Sequence, residues 1–502
     1  MKEQALIDGY RKNVEKYEVI KKFKCGKYSL YSFFEPFFLG NSLIHHLKGF
    51  PQFIRPERIN RGKFFRNLLT PLTINSYFKL SQKIRAFGNI LPHKKKGEKI
   101  LIFSSKRFID NTGKNAMIDS IAQGLAGENI GFNKIVFDNY NYFTCNKGYE
   151  TIYNYLDFKA IFKIKRLAKA FKNTTNKEKL MEKIFTINGV NHYKKIAPQI
   201  KFFFKILPRY IATMIVLTQN LLIKNKNVLT IGLTEGEFFT RALILNSNLM
   251  DKKTAILQFG PTVNEGIYDI PLSNDILPNV KCVDGKVDEQ NLTSYNNYPK
   301  EIIKITGEPR YDILVNNSWN KSSEIKKLGL NPNKKTILFI DQGHGIKESV
   351  KGITQAFEGL NFKITQMIIK IHPKDKSNFK NFKGLESKNV KIMQKANTSQ
   401  LVFIADLILT CWSTVAKEAI IANKPLILID FNNHKHGIDY IKAGAALKAS
   451  NVEELKKLIY LSFEEKTKLR LTKGIKEIIA KEYFHSPGKS TKEIVKIIKE
   501  NL

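Results

Sequence analysis

Lys370–Ile371–His372–Pro373–Lys374 closes an apolar run, which makes it the first stretch with the means for chemistry. In extended backbone Lys370 and His372 point to the same side, and Pro373 fixes the turn behind them. An ammonium beside an imidazole suits a bridging phosphate, or a departing nucleotide that needs a proton. The alternative is a histidine with a structural role. Thr410–Cys411–Trp412–Ser413–Thr414 leads into the helical run VAKEAIIAN. Ser413 and Thr414 then flank free backbone N–H groups, a setting for phosphate. The same hydroxyls serve as an N-cap, and the two roles are compatible. Glu418, on the first turns of that helix, is placed for a ribose or base contact.

Gly307–Glu308–Pro309–Arg310–Tyr311–Asp312 follows another apolar run. Gly307 permits a close turn, Pro309 stiffens it, and Arg310 offers a fork for phosphate or carboxylate. The competing assignment is a hinge in which Arg310 pairs Asp312 or another acid structurally. In Asp341–Gln342–Gly343–His344–Gly345 the glycines let backbone approach a ligand, with His344 beside it. In Thr234–Glu235–Gly236–Glu237, Glu235 and Glu237 are the acids available as general base toward an acceptor hydroxyl. Glu237 serves equally as a helix N-terminal acid.

These groups need strands to carry them. KILIFSS (99–105), KIVFDNY (134–140), NVLTIGL (227–233), KTAILQFG (253–260), NVKCVDG (279–285) and EIIKITG (301–307) read as short apolar strands. Helical runs such as NAMIDSIAQGLAGEN and EFFTRALILNSNL separate them. The pattern restarts with KTILFID (335–341), QMIIKIHP (366–373), NVKIMQ (389–394), DLILT and KPLILIDF (424–431). Strands alternating with helices predict parallel sheets covered on both faces. The predicted organisation is a basic, aromatic extension over 1–96, an α/β domain over 97–314, a polar linker over 315–334, a second α/β domain over 335–480, and a tail helix over 481–502.

The 502 residues include 83 Lys+Arg against 45 Asp+Glu, a formal net charge of +38, so anionic company is expected. Only 12 of the basic residues are arginine, which disfavours base-reading DNA recognition. Four scattered cysteines supply neither a disulfide framework nor a zinc site. The first residues lack the apolar core of a signal peptide, and Tyr210–Ile223 is too short to span a bilayer. A cytoplasmic protein is expected, with attachment at the inner membrane face left open. The aromatic stretch 28–40 is either a packed element with a wet face or a contact for anionic lipid, and the basic helical run 157–183 is either a solvated face or a contact for a membrane or another polyanion. No P-loop, GxGxxG, HExxH, GxSxG or strand-end DxD occurs.

The series Gly307–Asp312 (G-x-P-R-x-D), His372–Pro373 and Ser413–Thr414, followed by Lys424–Pro425, resembles the GT-B glycosyltransferases. More closely, it resembles the branch with CDP-glycerol glycerophosphotransferases of teichoic-acid synthesis and the capsule-building sialyl- and Kdo-type transferases. The resemblance covers 227–502, with 97–226 fitting less tightly. It implies two Rossmann-like domains facing a central cleft. The donor nucleotide would lie mainly on the second domain, with Gly307, Arg310, Gly343, His344, Lys370, His372, Ser413, Thr414 and Glu418 around it. His372, Arg310, Glu235 and Glu237 would form the catalytic set.

The expected activity is inverting, metal-independent transfer of a sugar from a CMP-, CDP- or UDP-linked donor to a cell-surface glycan or a lipid-linked, phosphate-bearing acceptor. No cofactor is implied, since the nucleotide donor is a substrate. A CDP-glycerol-type glycerophosphotransferase is the alternative, followed by a UDP-GlcNAc 2-epimerase-like enzyme, a basic polyanion-binding protein and an inactive scaffold of this fold. Two departures stand out. The branch often has His–Gly where this chain has Leu257–Gln258–Phe259–Gly260, and its C-terminal D-G-K-[AS]-S signature survives here as Pro487–Gly488–Lys489–Ser490–Thr491.

Overall fold

The computed structural model describes residues 2–36, 79–80, 82, 100–109, 113–138, 148–175, 177–226, 229–259, 274–295, 298–341, 347–372, 382–411, 413–431, 438–480 and 488–502. The chain forms two compact units. The first comprises Met1–Val283, Val287–Ile305 and Lys492–Leu502; the second comprises Asp284–Lys286 and Thr306–Thr491.

In the first unit, strands β1 (Ile100–Ser105), β2 (Phe132–Phe137), β3 (Glu150–Thr151), β4 (Leu229–Leu233), β5 (Lys253–Leu257), β6 (Val280–Val283) and β7 (Ile303–Ile305) form one sheet. Their order is β7-β6-β5-β4-β1-β2-β3, with every pairing parallel. The apolar runs are continuous because both faces are covered. Leu101 and Phe103 of β1 enter one core with the helices Phe158–Thr174, Tyr193–Lys224 and Phe238–Leu249. Ile100 and Ile102 enter the opposite core with Ala116–Gly127 and with Ile494, Val495 and Ile498 of the final helix, Ser490–Glu500.

The apolar stretch at 210–223 is the inner face of the 32-residue helix Tyr193–Lys224. Its polar Asn220 is satisfied by donating to the Tyr155 carbonyl at 3.1 Å. Among the described residues no helix is long and apolar enough to cross a membrane. Tyr31, Phe33 and Phe34 are wholly buried in this same core, so these rings of the aromatic stretch are unavailable to lipid. Arg55, Arg58, Arg61 and Lys94–Lys96 lie outside the described residues.

The second unit contains β8 (Lys335–Ile340), β9 (Thr365–Lys370), β10 (Val390–Met393), β11 (Leu407–Thr410), β12 (Leu426–Ile429) and β13 (Leu447–Ala449). The order β10-β9-β8-β11-β12-β13 is again wholly parallel. Leu338, Ile340, Ile368 and Ile408 face one core, and Ile337, Phe339, Met367, Ile369 and Leu409 face the other, the two-residue period of a doubly covered sheet. The helix Lys321–Lys327 anchors the polar stretch before β8 through buried Ile325. The fold is α/β and GT-B-like: two Rossmann-like units, with a helical N-terminal segment packed into the first.

Candidate functional site

The strand order of the second unit reverses between β8 and β11, and open parallel sheets take ligands beyond the carboxyl ends at such a point. Asp341 follows β8, Lys370 ends β9 with His372 two residues on, and Thr410 ends β11. The loop carrying His372 is held from both sides. Its N–H donates to Asp341 Oδ2 at 3.3 Å, and its carbonyl accepts from Gln394 Nε2 at 3.1 Å. Asp341 is buried, so this anchor is shielded from solvent competition. Gly343 and His344 lie outside the described residues, as do Pro373, Lys374 and Trp412.

At the end of β11, Thr410 is buried and donates to the Ile340 carbonyl at 3.1 Å, a sheet-binding role. Ser413 Oγ accepts from Val415 N–H at 3.3 Å, so it stabilises the start of the helix Val415–Ile421. Thr414 is the exposed N-cap residue of that helix and makes no side-chain cap bond.

The same seven-residue helix carries Lys417 and Glu418. Glu418 accepts from Ser399 Oγ at 3.3 Å and interacts electrostatically with Arg310, Lys370 and Lys417. Burial raises its pKa, against the pull of those three cations and of the Ser399 bond. Burial lowers the pKa of Lys370, and Glu418 opposes it. Three of the residues singled out in sequence, Arg310, Lys370 and Glu418, therefore share one electrostatic neighbourhood beside the loop of His372.

Arg310 reaches this neighbourhood because Gly307 takes φ +74°, in the left-handed region that favours glycine, and Pro309 opens a short 3₁₀ turn. Arg310 pairs Glu308, lies 4.7 Å above the Tyr311 ring, and donates to the Tyr311 hydroxyl at 2.8 Å. The acid that Arg310 pairs is thus Glu308 and not Asp312. Asp312 instead accepts from the backbone N–H groups of Ser490 (3.1 Å) and Thr491 (2.8 Å), capping the final helix. Asn316 donates to the Gly488 carbonyl at 2.5 Å, so two motifs distant in sequence form one capping structure.

Sequence reasoning missed Lys417. Its Nζ pairs with Asp284, lies 3.4 Å from Glu308 Oε2, and sits 4.6 Å from the Tyr311 ring centre. All three charged side chains are buried. A lysine beside Glu418 in the short, mostly apolar run VAKEAII was the available signal.

In the first unit, Glu235 is fully buried and its Oε2 lies 2.5 Å from the equally buried Lys281 Nζ. That oxygen is an ion-pair partner, withdrawn from any acceptor hydroxyl. Glu237 is a buried N-cap residue of the helix Phe238–Leu249 without a side-chain cap bond. At the end of β5, Gln258 Nε2 donates to Asp288 Oδ1 at 2.8 Å, and Phe259 packs on Phe108 with ring centres 4.2 Å apart. Neither side chain offers a basic nitrogen.

A hollow of about 330 Å³ in the second unit lies at the amino ends of the strands, lined by Lys335, Asp406, Lys424 and Pro425 among others. It is at the wrong end of the sheet for the residues above. Among the described residues no group of three or more His, Cys, Asp or Glu side chains is placed to hold a metal ion.

Residues 281–499 match the family described as CDP-Glycerol:Poly(glycerophosphate) glycerophosphotransferase. No curated protein matches the chain in sequence. Among solved structures, the wall teichoic acid polymerase TagF is similar at 12% identity and TM-score 0.50, covering 86% of this chain and 96% of its own. UDP-GlcNAc 2-epimerase from Methanocaldococcus jannaschii is similar at 16% identity and TM-score 0.51, covering 80% and 99%. The epimerase from Neisseria meningitidis, bound to UDP-GlcNAc, is similar at 14% identity and TM-score 0.50, covering 80% and 100%. At these identities the likeness is one of fold. The GT-B-like fold is related to that of CDP-glycerol glycerophosphotransferases and UDP-sugar epimerases.

Proposed function

We propose that this chain is a GT-B-type transferase of the CDP-glycerol glycerophosphotransferase kind, acting on a phosphate-bearing glycan or lipid-linked acceptor. The observation that carries it is the family match over 281–499, a span that includes Arg310, Lys370, His372 and Glu418. In the reaction an acceptor hydroxyl attacks the phosphorus that bears glycerol. A new P–O bond forms, the bond to the oxygen of the cytidine phosphate breaks, and CMP leaves. The developing charge on CMP calls for fixed cations. We assign that work to Arg310 and Lys370, with His372 giving a proton to the departing phosphate and Glu418 taking the ribose hydroxyls. The Ser413–Thr414 turn contributes backbone N–H groups to the phosphates. Glu235, bound to Lys281, is assigned no proton-transfer role, and Glu237 remains the first-unit candidate for the acceptor proton.

A sugar transferase is the second proposal, favoured by the absence of an imidazole at Gln258–Phe259, where the glycerophosphotransferase branch often has one. The donor consumed and the nucleotide released together separate the two. Glycerophosphate transfer consumes CDP-glycerol and liberates CMP, whereas sugar transfer liberates the diphosphate from a CDP- or UDP-linked donor, or CMP from a CMP-linked one, and leaves CDP-glycerol intact. The expected result is CMP release from CDP-glycerol, dependent on acceptor. His372→Ala should abolish most turnover. Lys370→Met should weaken cytidine nucleotide binding by about ten- to a hundredfold, the worth of one charge-assisted hydrogen bond. Thermal stabilisation by no cytidine or uridine nucleotide, with no turnover of either donor class, would refute both proposals.

A further inference from the structure

The helix Phe158–Thr174 has one face in the first-unit core, through Ala160, Ile164 and Phe171. Its opposite face is unusual for a soluble surface. Phe162 is 71% and Phe158 46% exposed, one helical turn apart, on the same side. Around them Lys159, Lys163, Lys165, Arg166, Lys169 and Lys172 are all exposed, and the helix contains no Asp or Glu. The N-cap Asp157 does not offset this charge, because it accepts from Ala160 N–H at 2.7 Å and lies 3.6 Å from Lys224 Nζ. Beside Phe162 is a hollow of about 600 Å³, lined by Leu167, Ala170 and Val216 and by Lys27, Lys163 and Arg166.

We propose that this helix face is a docking surface for a bilayer rich in anionic lipid, with the two phenylalanines entering the headgroup region. Charge complementarity selects the partner. Six cations without an acid are drawn to an anionic leaflet, and lysines are as effective there as arginines. The phenylalanines select lipid over nucleic acid. Protruding rings one turn apart gain by leaving water for the interfacial region, whereas a polynucleotide site needs rings set in a groove with arginine-rich readout. The hollow beside Phe162, apolar within and basic at Lys27, Lys163 and Arg166, has room for an anionic headgroup. The surface belongs to the first unit alone and does not depend on the proposed chemistry.

The test is co-sedimentation of the full chain with vesicles, without donor or acceptor. Binding is expected to vesicles of phosphatidylcholine containing roughly one third phosphatidylglycerol, and not to phosphatidylcholine alone. Lys163→Glu/Arg166→Glu/Lys169→Glu should lower partitioning by about a hundredfold or more. Phe158→Ser/Phe162→Ser should lower it by about tenfold or more while leaving retention on heparin unchanged. A second readout is Phe162→Trp, whose emission should shift to the blue on the mixed vesicles only. The control is Lys351→Glu/Lys383→Glu/Lys388→Glu, an equal charge change on exposed residues of the second unit, and it should bind as the parent does. Equal loss in that control would overturn the proposal, since net charge would then suffice. Loss of heparin and vesicle binding in parallel in the phenylalanine variant would overturn it in favour of a polyanion surface. Equal binding to both vesicle types would also overturn it.

Discussion

Replacing Lys417 by methionine tests whether the buried charge cluster behind the strand ends is a set of mutually dependent ions. Methionine keeps the length and most of the volume of the stem and removes only the charge. Lys417 faces Asp284 and lies 3.4 Å from Glu308, with all three side chains 7% exposed or less. At an effective dielectric constant near 20, the Glu308 contact alone is worth about 5 kcal/mol of Coulomb energy. Withdrawing the ammonium from water costs several kcal/mol in return, and burial accordingly lowers the Lys417 pKa well below the lysine range. Deleting the ammonium takes from Asp284 the cation it pairs with, while Glu308 keeps Arg310, at a cost of about 3–5 kcal/mol. For a unit of this size that is a fall in Tm of roughly 10 °C.

Both tryptophans of the chain, Trp319 and Trp412, fall within the second unit, so urea denaturation followed by tryptophan fluorescence reports on it alone. The expected result is a lower midpoint with an unchanged slope. Adding Asp284→Asn should recover most of the loss, because a neutral amide no longer needs the cation. A single variant within about 1 kcal/mol of the parent would refute the argument, as would a double variant no better than the single one.

Two further outcomes follow from the second unit. Lys424 Nζ donates to the Phe403 and Ala405 carbonyls at 2.7 and 2.9 Å, and burial, then Lys321, lowers its pKa to about 8 against the pull of Asp406. Between about 8 and 10.5 the unfolded chain holds this proton and the folded chain does not, so stability should rise with pH across that window. Lys424→Met should flatten that rise by up to about 3 kcal/mol in urea midpoints; identical slopes would exclude it. Asp312→Ala removes both acceptors at the start of the final helix and should cost about 1–2 kcal/mol, with faster amide exchange at Ser490 and Thr491. Unchanged exchange there would show that the cap is not needed.

The strand ends were legible in sequence because β8, β9, β11 and β12 are buried on both faces and therefore read as unbroken apolar runs. The edge strands β3 and β13, of two and three residues, left no such trace, since their pairing is supplied by a neighbour more than by their own side chains. The basic run 157–183 splits into Phe158–Thr174 and Glu178–Ile184, a break that charge periodicity does not reveal. Arg310, Lys370 and Glu418 were found because each follows a strand or opens a helix. Asp284 and Lys417 were missed because they are 133 residues apart, and nothing local to either announces the other. The link between Asp312 and Ser490–Thr491 was hidden for the same reason. Both ends read as ligand motifs, and one function of the pair is to cap a helix.

The chemistry at Gln258–Phe259 bears on which transfer this chain performs. An inverting transferase needs a group to receive the acceptor proton, and the demand depends on how far the nucleophile has bonded when the leaving group departs. Phosphoryl transfer through a loose transition state places little positive charge on the attacking oxygen, so a distant or late proton acceptor suffices and fixed cations around the leaving group dominate. Attack at a sugar carbon with inversion shares that dissociative character and also expels a nucleotide phosphate, while it disperses positive charge onto the ring oxygen, where carboxylates help. The described strand-end cluster contains Arg310, Lys370 and His372, with Glu418 drawn toward the two cations. Cations there would serve a departing nucleotide phosphate in either transfer and do not choose between them. Introducing histidine by Phe259→His separates the cases. If proton removal limits the rate, turnover of CDP-glycerol should rise with pH through the imidazole range. An unchanged profile would show that proton removal at this position does not limit the rate.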